Sequence, residues 1–130
     1  PPGFCRNVCK KFSNFYYHVE TLIFGQAVER AEKPDRIILG TKNGCFSDID
    51  KIFQEYLSLY DCKIHVMSYE SAELAKIAIN IFLISSVTYA NVLESITSKI
   101  GADWNDIIPA LRDDKRIGKY FLKYDLCKTF

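Results

Sequence analysis

The chain has 130 residues, of which 48% are hydrophobic and 14% aromatic, and its formal net charge is +1. This composition can supply a buried core and excludes a disordered chain, and the length fits one domain or two partial ones. Basic and acidic residues are spread along the sequence without the basic stripe that nucleic-acid binding needs. We therefore expect a folded protein with no nucleic-acid partner.

The five cysteines are odd in number and show no C-x-x-C pair. This pattern favours reduced thiols in a cytoplasmic protein over disulfides or structural zinc, and we expect no bound metal. The chain opens with Pro1-Pro2-Gly3, without an initiator Met or a signal peptide. We interpret it as a segment of a longer protein.

The N-terminal part of the chain predicts only short elements. Cys5–Phe12 has the composition of a short helix, and Phe15–His18 is aromatic and typical of a strand. Ala27–Arg30 fits one helical turn after a loop around Gly25. None of these elements is long enough to define a fold by itself.

A strand–helix–strand pattern follows. Arg36–Gly40 is a short apolar run closed by glycine and predicts a buried strand, and Lys63–Met67 alternates like a second strand. Between them, Ser47 is a suitable N-cap for an amphipathic helix whose first turn carries Asp48 and Asp50. Two strands joined by a helix indicate a parallel β-α-β unit of an open α/β sheet.

A single long helix is expected from Ser71 to Ile100, because this segment contains no Gly or Pro. Such a helix would be about 45 Å long. Around Ile77–Val87 this helix is apolar on nearly every side, and so small a chain cannot cover it alone. We expect a second copy of the chain to do so, giving a homodimer through this helix. A membrane span is less favoured because polar residues interrupt the apolar stretch, at Asn80, Ser85, Ser86, Thr88 and Asn91.

A short last helix is predicted after the glycine that ends the long one. Asp103 is its expected N-cap, and Asp106 lies in its first turn. Pro109 is expected to kink or shorten it. Its apolar residues share one face: Trp104, Ile107, Ile108 and Leu111.

The chemistry that the sequence suggests centres on one pair of side chains. No glycine-rich nucleotide turn, phosphate-binding loop or His-Glu-x-x-His motif occurs. Lys76 and Asn80 are four residues apart and share one face of the long helix, where an ammonium and a carboxamide suit an oxyanion or a sugar hydroxyl. Spacing alone favours a solvated lysine and a structural asparagine instead, and Glu20 alone is typical of a surface carboxylate.

The segment Ser71–Asn80, with the sequence Ser-Ala-Glu-Leu-Ala-Lys-Ile-Ala-Ile-Asn, adds a resemblance. It closely resembles the start of the central helix in the UDP-glucose/GDP-mannose dehydrogenase family, where the pattern is Ser-Ala-Glu-Leu/Met-x-Lys-x-x-x-Asn. Further segments resemble the family in its own order, and together they cover nearly the whole chain. They are Pro1–Gly3, Glu20–Gly40, Gly101–Asp103 and Arg116–Gly118.

The resemblance implies an enzyme that oxidises the C6 alcohol of a nucleotide-linked sugar to a carboxylate in two NAD-dependent steps, in the synthesis of surface polysaccharide. By position, it implies an acid/base role for Glu20. It also implies that Lys76 and Asn80 stabilise the developing oxyanion and bind sugar or water. The sugar and its nucleotide are not identified by this resemblance.

The other residues that the resemblance implies lie near the C-terminus. Arg116 corresponds to an arginine that reaches a substrate in the neighbouring subunit, and Phe121 and Lys123 stand where the family's substrate-binding loop begins. The loop with the nucleophilic cysteine would follow, and Cys127 does not match the place of that nucleophile. The dinucleotide-binding turn would lie before Pro1. We therefore expect neither turnover nor tight NAD binding by this chain alone.

The expected fold is α/β. Residues 1–68 would form the last part of a Rossmann-like parallel sheet, and residues 69–130 an all-α central dimerisation domain with one long helix. Two alternatives stay open, a stand-alone dimerisation module without catalysis and a related hydroxy-acid dehydrogenase. Flanking sequence separates them, because a Gly-x-Gly-x-x-Gly strand upstream and a Gly-Gly-x-Cys loop downstream would indicate the sugar enzyme.

Overall fold

The computed structural model describes residues 2–12, 14–21, 23, 25–115 and 117 of the chain. Contacts within it define two compact units, the first ending at Ala78 and the second beginning at Ile79. The predicted domain boundary after residue 68 concerns the family's domains and stays a prediction. In chain order the elements are α1 (Phe4–Val8), β1 (Tyr17–His18), α2 (Ala27–Glu32), β2 (Arg36–Thr41), a 3-10 helix (Phe46–Asp48), α3 (Lys51–Leu57), β3 (Lys63–Ser68), α4 (Tyr69–Ile100) and α5 (Trp104–Asp113).

The sheet belongs to the first unit and has the strand order β1-β2-β3. β2 and β3 are parallel, with Arg36 opposite Lys63, and α3 connects them. β1 is antiparallel to β2, with Tyr17 opposite Gly40. The α/β fold and the predicted β-α-β unit are therefore confirmed, whereas a larger Rossmann-like sheet stays a prediction.

The core of the first unit is built on β2, as its apolar sequence predicts. Ile37 and Leu39 are 2% and 0% exposed, and they cluster with the buried Ile49 and Leu57. Burying a side chain of this size contributes about 1.5–3 kcal/mol. This cluster holds the α3 segment against one face of the sheet.

The loop before α3 corrects the predicted N-cap. α3 begins at Lys51, and its N-cap is Asp50, whose carboxylate accepts the Phe53 N–H at 2.8 Å. Ser47 therefore does not cap this helix. Asp50 suits the position because its side chain satisfies one of the N–H groups that the first turn leaves without a helical partner.

Asp48 organises the same loop instead of standing in the first turn of α3. Its carboxylate accepts the hydroxyl of the buried Thr41 at 2.8 Å and the backbone N–H of Asn43 at 2.7 Å. The side-chain amide of Asn43 donates a further bond at 2.8 Å. These hydrogen bonds lower the pKa of Asp48 to about 2, the bond from Thr41 contributing most. The predicted place of Asp48 in the first turn of α3 is wrong, because its carboxylate is held in the loop by these donors.

The first turn of α4 lies directly on β2 at Gly40. α4 begins at Tyr69 as soon as β3 ends, and Tyr69 and Ala72 are 2% and 0% exposed. A Cβ atom on Gly40 would lie 2.9 Å from the Ala72 Cβ and 3.3 Å from the Tyr69 Cα. Only a glycine leaves room for this approach of helix to strand.

α4 continues into the second unit, and α5 follows it there. α4 ends before Gly101, whose φ of 75° is the left-handed conformation typical of a helix stop. Asp103 caps α5 as predicted, with its carboxylate accepting a first-turn N–H at 2.8 Å. α5 continues past Pro109 to Asp113, so the proline does not end the helix, and the alternative, a kink at Pro109, stays a prediction.

Most of the apolar surface of α4 is exposed in the single chain, including Phe82 and Tyr89 at 70% each. By length and composition, α4 is apolar enough to cross a membrane. The hydroxyls of Ser86 and Thr88 donate to carbonyls one turn earlier, at 2.6 and 3.0 Å. Because these hydroxyls form hydrogen bonds within the helix, they are weaker evidence against a membrane span than the sequence alone indicated. The absence of a membrane partner stays a prediction.

We expect Gly40→Ala to destabilise the protein by about 1–3 kcal/mol, because the new Cβ overpacks the contact with Ala72. Ala72→Gly opens the same space, so the two changes together should cost at least about 1 kcal/mol less than the sum of the single changes. Urea unfolding of the wild type, both single variants and the double variant measures this coupling. Strictly additive costs would contradict the close contact.

We expect Asp48→Asn to flatten the acid side of the stability profile. The pKa of Asp48 is lowered from 3.8 to about 2. At a pH above 3.8 its ionised form therefore stabilises the fold. That contribution is lost as the pH falls from about 4 to about 2. The free energy of unfolding, measured in urea across this range, should fall less steeply for the variant. Equal slopes for both proteins would show that the loop bonds do not favour the ionised carboxylate.

Candidate functional site

The structure brings together two of the residues singled out in the sequence, Glu20 and Lys76. The Val19 N–H donates to the Ile38 carbonyl at 3.0 Å, which ties the chain to β2 just before Glu20. Lys76 lies two turns into α4, the helix seated on the same strand. Its ammonium donates to the backbone carbonyl of Glu20. Two candidates that are 56 residues apart in sequence are therefore neighbours within the first unit.

A cleft of about 240 Å³ adjoins this contact. This volume is below the range of about 300–1,000 Å³ typical of pockets for drug-sized ligands, so the cleft is too small for a whole nucleotide sugar. Its walls come from the N-terminal turn and α1, from β1 and from α4. They are Pro2, Phe4, Cys5, Tyr17, Glu73, Lys76 and Ile77.

Lys76 has the chemistry to stabilise negative charge at this place. The side chain is half-buried, and among the described residues its ammonium has one hydrogen-bond partner, the neutral Glu20 carbonyl. An ammonium has three N–H donors, so two of them make no hydrogen bond to a described residue. An ammonium that can still donate hydrogen bonds is suited to an oxyanion.

The carboxylate of Glu20 is exposed and is not the group that meets Lys76. It accepts the backbone N–H of Thr21 at 3.0 Å. Glu20 also lines a second cleft of about 180 Å³, which includes His18, Arg30 and Arg36 among its other walls. The structure therefore brings the backbone of Glu20 to Lys76 and leaves its acid group free to meet a ligand from solvent.

The remaining predicted site residues fall outside the first unit or outside the described residues. Asn80 belongs to the second unit, and its carboxamide is exposed and makes no hydrogen bond to any described residue. The predicted substrate-binding residues Arg116, Phe121 and Lys123 lie outside the described residues. Their roles, like those of the other site residues, stay predictions.

Glu73 is a residue that the sequence reasoning missed. Its side chain is only 6% exposed, and its carboxylate accepts the backbone N–H groups of Gly3 and Cys5, the latter at 2.8 Å. Burial raises the pKa of Glu73, but the hydrogen bonds from Cys5 and Gly3 outweigh it, and the pKa lies below its usual value. A visible signal was its position three residues before Lys76, on the same side of the helix.

The cysteines of the described chain offer no nucleophile in this cleft. Cys5, Cys9, Cys45 and Cys62 are free thiols. Burial, followed by the hydrogen bond to Glu73, raises the pKa of Cys5 to about 12, so this thiol stays protonated and unreactive. Within the described ranges no cluster of three or more His, Cys, Asp or Glu side chains could hold a metal ion.

Sequence comparison relates this chain to a family of sugar-nucleotide enzymes. Residues 70–127 match the model of the UDP-glucose/GDP-mannose dehydrogenase family, central domain. The UDP-glucose 6-dehydrogenase of Rickettsia bellii (strain RML369-C) is 34% identical over 94% of this chain and 30% of the relative. That of Campylobacter jejuni is 31% identical over 93% of this chain and 31% of the relative.

Solved structures give the same relationship. A UDP-glucose dehydrogenase from the hyperthermophilic archaeon Pyrobaculum islandicum matches 93% of this chain and 29% of its own, with a TM-score of 0.73 and 29% identity. A ternary complex of GDP-mannose dehydrogenase from Pseudomonas aeruginosa matches 96% of this chain and 30% of its own, with a TM-score of 0.71. Its 19% identity supports the fold alone.

The match at the long helix and the matches along nearly the whole chain agree with one another. The chain spans about 30% of the length of the curated relatives that it matches. Because the matches to members extend over 94% of this chain, it belongs to the UDP-glucose/GDP-mannose dehydrogenase family.

Proposed function

We propose that this chain is the central segment of an NAD-dependent nucleotide-sugar 6-dehydrogenase, an enzyme of the cytoplasm. The reaction oxidises the sugar C6 alcohol of a UDP- or GDP-sugar to the uronate in two steps. The names of the curated relatives favour UDP-glucose as the sugar nucleotide. In this proposal the chain contributes part of the substrate site and the surface through which the enzyme dimerises.

The observation that carries this proposal is the contact between Lys76 and the Glu20 carbonyl at the edge of a small cleft. Oxidation of an alcohol develops negative charge on its oxygen, and an oriented ammonium stabilises that charge. Lys76 would do so at the sugar C6 oxygen. The exposed carboxylate of Glu20 would accept or return the proton, and the Asn80 carboxamide would bind a sugar hydroxyl or water.

The residues present do not form a site for the nicotinamide cofactor. A dinucleotide is held by a glycine-rich turn that opens a helix, and no Gly-x-Gly-x-x-Gly occurs in this sequence. The roles proposed for this chain are to position the sugar and to stabilise charge on it.

Dimerisation is proposed from the exposed apolar stripe of the second unit. Its residues recur at helical spacing on one side of α4 and are half or more exposed in most cases. An exposed surface of this kind marks an interaction site in a soluble protein, and a second copy would cover it symmetrically. The stripe consists of Ile81, Phe82, Tyr89, Val92, Leu93, Ile96 and Ile100.

The catalytic role of Lys76 can be tested in a chimera in which the Rickettsia bellii enzyme carries this chain in place of its matching segment. We expect the chimera to oxidise UDP-glucose with NAD and Lys76→Ala to lower kcat about 100- to 1,000-fold, because one oxyanion-stabilising donor is lost. Lys99→Ala, in the last turn of α4, is the control and should retain activity. NADH formation at 340 nm is the readout.

Two outcomes would contradict the enzyme proposal. One is a folded, dimeric chimera without turnover, which would favour the dimerisation module instead. The other is a Lys76→Ala chimera as active as its parent. The isolated chain, assayed in parallel, is expected to give no NADH.

The dimer can be tested on this chain directly. We expect the wild type to sediment as a dimer, and the double variant Phe82→Glu/Tyr89→Glu to be a monomer, because two carboxylates would be buried in an apolar contact. Ser98→Glu adds charge on the opposite side of α4 by helical spacing and should stay dimeric. A wild-type monomer, or a wild type that is recovered only in detergent, would contradict the proposed interface.

A further inference from the structure

We propose that Glu73 is a positioning residue of the candidate site, which holds the N-terminal turn against α4 and so sets the wall of the cleft beside Lys76. This inference rests on the proposed function, because it concerns the same cleft. It adds a residue to which neither the sequence pattern nor the position of the cleft had given a role.

The geometry that carries the proposal is a buried carboxylate with two backbone donors. Glu73 is 6% exposed and accepts the N–H groups of Gly3 and Cys5, which begin α1. Hydrogen bonds from backbone N–H groups to an ionised carboxylate are among the stronger ones in proteins. Both donors lie about 70 positions away in sequence, so the contact is a tertiary attachment and not a local cap.

A second contact joins α1 to α4 one turn before Glu73 and provides a control for it. Arg6 of α1 forms two hydrogen bonds with the carboxylate of Glu70, at 2.7 and 2.9 Å, and donates to the Lys42 carbonyl at 2.8 Å. This pair is exposed, and exposed ion pairs contribute only about 0–1 kcal/mol. Loss of Glu70 should therefore leave α1 on α4, whereas loss of Glu73 removes the buried attachment.

The link to the cleft follows from which groups form its walls. Pro2, Phe4 and Cys5 form the side that Glu73 attaches, and Lys76 lies on the other side, one turn after Glu73 on α4. If the attachment is lost, the first wall is no longer fixed relative to the ammonium. A displacement of about 1 Å between reacting groups can cost about 100-fold in rate.

An amide cannot replace the carboxylate without loss. The side chain of Glu73→Gln has nearly the same shape, but its NH₂ group would face one of the two N–H donors that the carboxylate accepts. Glu73→Asp keeps the charge and shortens the reach by one methylene. Together the two variants test charge and reach separately.

The experiment uses the chimera defined above, with Glu73→Gln, Glu73→Asp and the matched control Glu70→Gln. We expect Glu73→Gln to lower kcat about 10- to 100-fold while KM for UDP-glucose changes less than about twofold, because positioning rather than binding is lost. Glu73→Asp keeps the charge but not the reach, so its kcat should lie above that of Glu73→Gln and below that of the parent. Glu70→Gln should stay within about twofold of the parent. Circular dichroism and Tm identify any variant that does not fold.

The outcomes separate this inference from the proposed function. A chimera with a loss in Lys76→Ala and unchanged kcat in Glu73→Gln would overturn the positioning role alone. Equal losses of kcat in Glu73→Gln and Glu70→Gln would also overturn it, because both would then reflect stability. If Glu73→Gln fails to fold, a Glu73→Asp variant with parental kcat overturns it. A chimera that is inactive without any substitution overturns both proposals.

Discussion

The close contact between Gly40 of β2 and the first turn of α4 determines the geometry of the candidate site. β1 pairs with β2, so Glu20 leaves the sheet at a fixed place. α4 rests on the same strand through Ala72, and its second turn carries Lys76 to the Glu20 carbonyl. A shift of the helix along the strand would separate the two candidates even if each element kept its own structure.

The elements that the sequence predicted well are those whose signals are local. The apolar run of β2, the alternation of β3 and the absence of Gly and Pro from α4 each depend on neighbouring residues. The N-cap of α3 was wrongly placed at Ser47. Two acidic residues follow that serine, and the hydrogen-bond donors around each of them determine which one caps the helix. Thr41 and Asn43 bind Asp48, which leaves Asp50 as the cap.

The site was predictable in part, and only with the help of the family resemblance. Spacing alone left Lys76 as a solvated lysine, and the resemblance gave it a role. Nothing local connects it to Glu20, because the two residues are 56 positions apart in sequence. Glu73 was missed because an acidic residue on a helix is usually solvated. Its carboxylate is buried by the N-terminal turn, whose N–H groups at Gly3 and Cys5 donate to it. A single sequence does not show that this turn lies near Glu73.

The anchor of Lys76 is a neutral oxygen, and this has an electrostatic consequence. A carboxylate in the place of the Glu20 carbonyl would cancel the positive charge of the ammonium, and an incoming anion would have to compete with it. A peptide oxygen fixes the direction of the side chain and adds no negative charge directly beside the ammonium. No ion pair with the Glu20 carboxylate therefore has to be broken before an anion can approach this ammonium.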